Sequence, residues 1–151
     1  MHFPISSKLP EVSTTIFTVM SKLAADQNAI NLSQGFPGFE SDKILIDLVS
    51  KAMRDGYNQY APLAGLPALC ESVCHKLNTL YGSNYLPETD ITITAGATQA
   101  IFTVITAFIS KGDEVIMFTP AYDCYEPAVI LNGGKPVNIP LKTPDYHIDW
   151  E

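Results

Sequence analysis

Positive charge is scarce in this 151-residue chain. Nine Lys and Arg residues stand against sixteen Asp and Glu residues, which gives a net charge of −7, and Arg54 is the only Arg. No basic face is present to neutralise phosphates, so nucleic acid binding is disfavoured. Because Arg54 precedes Asp55 on a predicted helix, we interpret it as a solvated surface charge.

Long hydrophobic runs are missing as well. No apolar segment approaches the roughly 18 residues of a membrane span, and residues 1–10 lack the basic-then-apolar layout of a signal peptide. We therefore expect no membrane partner and a cytoplasmic location.

The chain contains only three cysteines, an odd number. Cys70 and Cys74 lie four positions apart on a predicted helix, Cys124 is alone, and no His lies at metal-ligand spacing from them. This pattern indicates unpaired thiols in a reducing compartment and predicts no metal site. Three His residues are interpreted as surface or structural: His2, His75 and His147.

The composition, 46% hydrophobic and 17% charged, is that of a globular protein. From residue 91 onward, strand and helix signals alternate, which indicates an α/β domain with a mainly parallel sheet. The predicted helices cover residues 14–26, 42–54, 67–80, 100–110 and 122–131. The predicted strands cover residues 29–32, 91–94, 114–118 and 136–139.

A small-residue turn between a predicted strand and helix is the first candidate site. Gly96 and Ala97 allow close approach to the backbone, and Thr98 adds a hydroxyl donor. Helix N-termini of this kind bind anions, most often phosphate. Neither a P-loop nor a G-x-G-x-x-G fingerprint is present. From these residues alone, such a turn is more often simple packing than a phosphate site.

Two tyrosines are further candidates. Tyr122 follows the next predicted strand, so it should emerge at the same sheet edge as Gly96 and could stack on a flat ligand. Tyr60 lies in an aromatic loop with Asn58 and Gln59. Taken alone, Tyr122 is more often a core residue, and Tyr60 is more often an ordinary turn residue.

Five short motifs together resemble the class I and II aminotransferases that use pyridoxal phosphate, and within these the kynurenine, glutamine and methionine aminotransferases. The motifs occur in the order and spacing of that family and cover nearly the whole chain. They are INLSQGFP at 30–37, NQY at 58–60 with Gly65, TAGATQA at 94–100, GDEV at 112–115 and PAYDCYEP at 120–127.

The resemblance implies a role for each matching residue. Gly96, Ala97 and Thr98 would hold the cofactor phosphate, and Tyr122 would stack on the pyridine ring. Tyr60 would reach the phosphate bound by the other subunit of a homodimer with shared active sites. Two more residues would contact the amino acid or 2-oxo acid substrate: Gly35, through its backbone, and Phe36, as a wall of the pocket.

The same resemblance implies fold type I, an α/β/α architecture that is incomplete in this chain. Residues 1–44 would form an N-terminal arm and part of the small domain. Residues 45–151 would begin the large pyridoxal-phosphate-binding domain. In that family the first strand, here residues 91–94, lies apart from the next two, so these three would not form a continuous sheet without later strands. Their apolar faces would then be open to aggregation.

No catalytic residue is predicted in these 151 residues. The family's Schiff-base lysine lies in a Ser-x-x-Lys context that none of the eight Lys residues matches. We therefore expect the chain to be inactive alone and to be the N-terminal part of a longer transaminase, completed by a C-terminal part. Two alternatives remain open: a carbon–sulfur β-lyase of the same fold, and a non-catalytic dimerisation or binding module.

Overall fold

The computed structural model describes residues 6–35 and 37–150. Five helices and two strands are assigned within these ranges. In chain order they are α1 (Ile16–Asp26), α2 (Lys43–Arg54), α3 (Pro67–Tyr81), α4 (Ala97–Phe108), β1 (Glu114–Thr119), α5 (Tyr125–Leu131) and β2 (Lys135–Pro140).

The chain forms two compact units. Unit 1 combines Met1–Gln34 with Ala95–Glu151, and unit 2 is Gly35–Thr94. Unit 1 therefore contains α1, α4, α5 and both strands, whereas unit 2 contains α2 and α3. The division of the complete fold at residue 44, which the sequence predicts, stays a prediction.

A parallel pair of strands forms the centre of unit 1. β1 and β2 run in register from Glu114 opposite Lys135 to Thr119 opposite Pro140. The crossover between them is α5, whose Ala128 and Val129 are buried. A parallel pair needs such a crossover, so this segment is the βαβ unit predicted from the alternating pattern.

Glycine allows α5 to pass directly into β2. A Cβ atom on Gly134 would lie 2.7 Å from Cγ2 of Ile109 and 2.9 Å from Cγ1 of Val129. Gly133 has φ +81° and accepts a 2.8 Å hydrogen bond from the amide of Gly112. The two glycines between α5 and β2 therefore allow close packing, with Gly133 against the Lys111–Gly112 turn.

The helices follow the sequence signals, with shifted ends. Thr15 caps α1, and Asp42 caps α2 through the amide of Ile44, so these helices begin two residues and one residue after their predicted starts. α3 begins at Pro67 as predicted and ends at Tyr81, where Gly82 follows as a left-handed C-cap residue.

The two later helices also shift. α4 begins at Ala97, three residues before the predicted start, because Gly96 can adopt the backbone conformation that opens it. α5 begins at Tyr125 and not at residue 122.

Two predicted strands are wrong. Residues 29–32 and 91–94 are assigned to no strand among the described residues. The amide of Ile93 donates to the carbonyl of Ala64, a loop contact and not a strand ladder. β-propensity marks a segment that suits a sheet, but a strand forms only where a neighbouring strand supplies its hydrogen bonds. The described sheet has only β1 and β2.

Much apolar surface is uncovered. The solvent-accessible area is 13069 Å², whereas a compact folded monomer of this length exposes about 7,600 Å². Every residue of α2 except Ser50 and Ala52 is exposed, including Ile44 at 70%. The spacing of its aliphatic residues is that of a helix face that packs inward, but within unit 2 this face has no covering layer.

The described part of the chain contains no helix that is both long and apolar enough to cross a bilayer.

Candidate functional site

The turn before α4 has the geometry of an anion cradle. Gly96 is the N-cap residue, with φ +88° and ψ 169°, a conformation that a residue with a Cβ atom rarely adopts. The first intrahelical bond runs from the amide of Ala100 to the carbonyl of Gly96, at 3.4 Å. The amides of Ala97 and Thr98 precede that bond and so have no acceptor within the helix. They lie at the positive end of the helix dipole.

A side-chain contact joins this turn to the segment that follows β1. The hydroxyl of Thr98 lies close enough to the thiol of Cys124, the N-cap residue of α5, to lower the pKa of that thiol. The N-termini of α4 and α5 are therefore near each other. Tyr122 lies two residues before Cys124, so its segment is close to the turn as well.

The thiol of Cys124 is held in its neutral form. Burial is the main cause that raises its pKa, and the carboxylate of Asp123 raises it further, against a smaller lowering by its own backbone amide and by the hydroxyl of Thr98. A neutral thiol beside the cradle adds no negative charge that would repel an anion. This supports Cys124 as a packing partner of the turn and not as a nucleophile.

Tyr122 presents a half-exposed ring that is supported from two directions. Its ring centre lies 6.2 Å from that of Phe17 in α1, tilted by 42°, and 6.1 Å from that of Tyr125, edge to face. Tyr122 is 50% exposed to solvent. Aromatic neighbours at these distances restrict the ring and leave surface available for a planar ligand.

A cavity of about 370 Å³ adjoins Tyr122 within unit 1. Its lining combines apolar side chains with three carboxylates, and it includes a piece of the N-terminal segment. Residues of that lining are Val12, Met117 and Ile130, with Glu11, Asp123 and Glu126. The lining of the cavity is thus mixed in character, with apolar side chains and three carboxylates.

Unit 2 carries two of the remaining predicted site residues. Tyr60 is fully exposed, in the loop between α2 and α3, and Gly35 is exposed at the start of the unit. Their assignments, to a phosphate across a dimer and to a substrate carboxylate, stay predictions. Phe36, predicted to wall the substrate pocket, lies outside the described residues.

Three contributors to this site were not predicted as such. The sequence predicts Phe17 only as part of the helix at 14–26, Cys124 only as an unpaired thiol, and Gln99 only as part of the TAGATQA motif. The side chain of Gln99 accepts a hydrogen bond from the amide of Ala95. A signal for Gln99 existed, since Gln at the third position of a helix often caps its N-terminus. No local pattern predicts the other two, because their partners are distant in the sequence.

The aminotransferase class I and II family model matches residues 27–151. The methionine aminotransferase of Escherichia coli is 48% identical over 145 residues, which are 96% of this chain and 38% of that protein. Human kynurenine–oxoglutarate transaminase 3 is 36% identical over 152 residues, 99% of this chain and 34% of that protein.

Solved structures of aminotransferases also match this chain. A crystal structure of an Escherichia coli protein with a methionine aminotransferase function superposes with a TM-score of 0.94 and 46% identity, over 99% of this chain and 39% of that one. The N-succinyldiaminopimelate aminotransferase of Mycobacterium tuberculosis gives 0.85 and 34%, over 93% of this chain and 37% of that one.

The chain thus spans between a third and two fifths of the length of these relatives. The match extends over most of its own residues and includes the turn before α4 and the Tyr122 segment. The fold is that of the fold type I aminotransferases, and the chain belongs to the class I and II aminotransferase family.

Proposed function

We propose that the protein containing this chain is an aminotransferase that binds pyridoxal 5′-phosphate and moves an amino group from an amino acid to a 2-oxo acid. The observation that carries the proposal is the turn before α4, where Gly96 at φ +88° opens the helix and its first intrahelical bond begins only at the amide of Ala100. Family membership supports the same activity.

The donor set fits the cofactor chemically. Two backbone amides, the Thr98 hydroxyl and the positive end of α4 suit a dianionic phosphate. The half-exposed ring of Tyr122 suits a planar pyridine. When bound, pyridoxal phosphate supplies an electron sink that stabilises negative charge on the substrate carbon next to the amino group.

Each residue of this chain would then bind or orient. Gly96 shapes the backbone so that Ala97 and Thr98 can donate to phosphate oxygens, while Tyr122 fixes the plane of the ring. In a homodimer with shared sites, Tyr60 would donate its hydroxyl to the phosphate bound by the other subunit. Gly35 and Phe36 would contact the substrate.

An aromatic or sulfur-containing amino acid is the substrate class we favour. Two of the relatives named above are a methionine and a kynurenine aminotransferase. The apolar part of the cavity beside Tyr122 suits such a side chain, and the three carboxylates in its lining disfavour an acidic one.

No lysine of this chain is assigned a catalytic role, because none lies in a Ser-x-x-Lys context. The proposal therefore concerns the whole protein, whose remaining residues would supply that lysine. We also propose a cytoplasmic location, which the unpaired cysteines favour.

The test uses the protein as its own cell makes it. We expect pyridoxal phosphate to co-purify, detected by mass spectrometry after acid release, and methionine or kynurenine to be converted to its oxo acid with a 2-oxo acid as acceptor. Release of pyruvate and ammonia from cysteine conjugates, without amino transfer, would instead support the β-lyase. Absence of both the cofactor and turnover would favour the binding module and overturn the proposal.

A further inference from the structure

The turn before α4 lacks an ordinary side-chain cap, because its N-cap residue is Gly96. The side chain that acts as a cap belongs to a residue within the helix. Gln99, at the third helical position, turns back along the helix, and its Oε1 accepts a hydrogen bond from the amide of Ala95. The oxygen is the atom that faces Ala95, because an N–H donor requires an acceptor.

This bond holds Gly96 between two fixed points. On one side the amide of Ala95 is tied to Gln99. On the other, the carbonyl of Gly96 accepts from Ala100 at 3.4 Å. Glycine at φ +88° gains no conformational preference from a side chain of its own and loses much entropy when it is ordered. The Gln99 bond therefore supplies restraint at the residue that needs it most.

The restrained residues come directly before the amides that point out of the helix. Anion binding by backbone amides depends on their being aligned before the anion arrives, because ordering a loose turn costs binding free energy. The side chain of Gln99 accepts a hydrogen bond from a backbone amide of its own turn. Its side chain thus acts on the orientation of the turn and not on the ligand directly.

On the basis of the proposed cofactor site, we propose that Gln99 is a positioning residue of the phosphate-binding turn. Its side-chain oxygen closes the turn over residues 95–99 and prealigns the amides of Ala97 and Thr98. The functional requirement at this position is an acceptor of the right length, which Glu also provides and Leu does not.

The experiment compares Gln99→Leu and Gln99→Glu in the whole protein. Thr103→Leu, at an exposed position one turn along α4, is the matched control. Three quantities are measured: hydrogen exchange of the Ala95 amide in the cofactor-free protein, the dissociation constant of pyridoxal phosphate and that of inorganic phosphate. Circular dichroism checks that each variant is folded.

For Gln99→Leu we expect faster exchange at Ala95 and about fivefold to tenfold weaker binding of both ligands, the effect of losing one hydrogen bond. At saturating cofactor its kcat should stay near that of the wild type. Gln99→Glu should restore Ala95 protection and most of the affinity, and Thr103→Leu should change neither.

Two outcomes would overturn the positioning role: unchanged affinity in Gln99→Leu, or an equal loss in Gln99→Glu despite restored protection at Ala95. Both require a wild type that binds pyridoxal phosphate. A wild type that binds none would instead contradict the proposed function, so the two failures are distinguishable. Should Gln99→Leu fail to fold, hydrogen exchange and affinity in Gln99→Met, which also lacks the acceptor, decide the question.

Discussion

The ring of Phe17, in the first turn of α1, lies 6.2 Å from the ring of Tyr122, which follows β1 more than a hundred residues later. This contact joins the N-terminal segment to the α/β part of unit 1. It places an aromatic side chain from α1 beside the residue proposed to stack on the cofactor.

We expect Phe17→Ala to weaken pyridoxal phosphate binding by about two- to tenfold, because the Tyr122 ring loses one of its two aromatic supports. Phe17→Leu should lose less, since it keeps apolar contact. Equilibrium dialysis of the whole protein against pyridoxal phosphate measures the effect. Val19→Ala, an exposed position on the same helix, is the control. Equal affinity in Phe17→Ala and the control would show that Tyr122 needs no support from α1.

Tyr122→Ala should weaken cofactor retention by about 1 kcal/mol, a factor of about five, which is the strength of one aromatic stacking contact. Tyr122→Phe keeps the ring and should retain the affinity. Competition with free pyridoxal phosphate, followed by fluorescence, separates the two variants. If Tyr122→Phe loses as much as Tyr122→Ala, the hydroxyl and not the stacking face holds the cofactor.

Gly134→Ala should destabilise the protein by about 1–3 kcal/mol, because the added methyl group would overlap Ile109 and the fully buried Val129. Gly38→Ala is a matched control, since a Cβ atom there meets nothing within 4 Å and its φ is not positive. Urea unfolding of both variants gives the difference. A Gly134→Ala protein as stable as the control would mean that β2 can move away from α5 at little cost.

The hydrogen bonds to the carboxylate of Asp90 predict that the stability of the folded protein falls at acidic pH. The backbone amide of Leu86, at 2.9 Å, and the hydroxyl of Thr89, at 2.8 Å, donate to its carboxylate and lower its pKa. A lowered pKa in the folded state stabilises above the unfolded pKa of about 3.9, and the effect is lost as pH falls through the folded value.

Asp90→Asn should therefore reduce stability at neutral pH and flatten the loss of stability below about pH 4. Thermal unfolding across pH 2–7 measures this, with Asp47→Asn, exposed on α2, as the control. The same slope in Asp90→Asn and wild type would remove Asp90 as a source of the pH dependence.

The sequence predicts best where the determinants are local. The glycine turn at Gly96 and the apolar helix after it could be located, to within three residues of the observed start of α4, because both are defined within a few residues. The Tyr122 segment is expected near that turn because strand ends of a parallel sheet share an edge. In the described residues the two segments are near each other, although residues 91–94 form no strand.

Prediction fails where the determinant is a partner distant in the sequence. Residues 91–94 have the composition of a strand, yet whether they form one depends on a neighbouring strand, which no local pattern describes. Phe17 has the helical spacing of a core residue, and only the fold shows that its partner is Tyr122. For α2, the apolar stripe correctly predicts a helix but not what would cover it.

β1 pairs with β2 along one side, and the described residues place no strand along the other. During synthesis on the ribosome, the segment from α4 to β2 emerges before any later part of a longer polypeptide could reach that side. For that interval its backbone donors and acceptors face the solvent and other nascent chains. The rate of translation past this point, and the chaperones that meet it, would then influence the yield of folded protein.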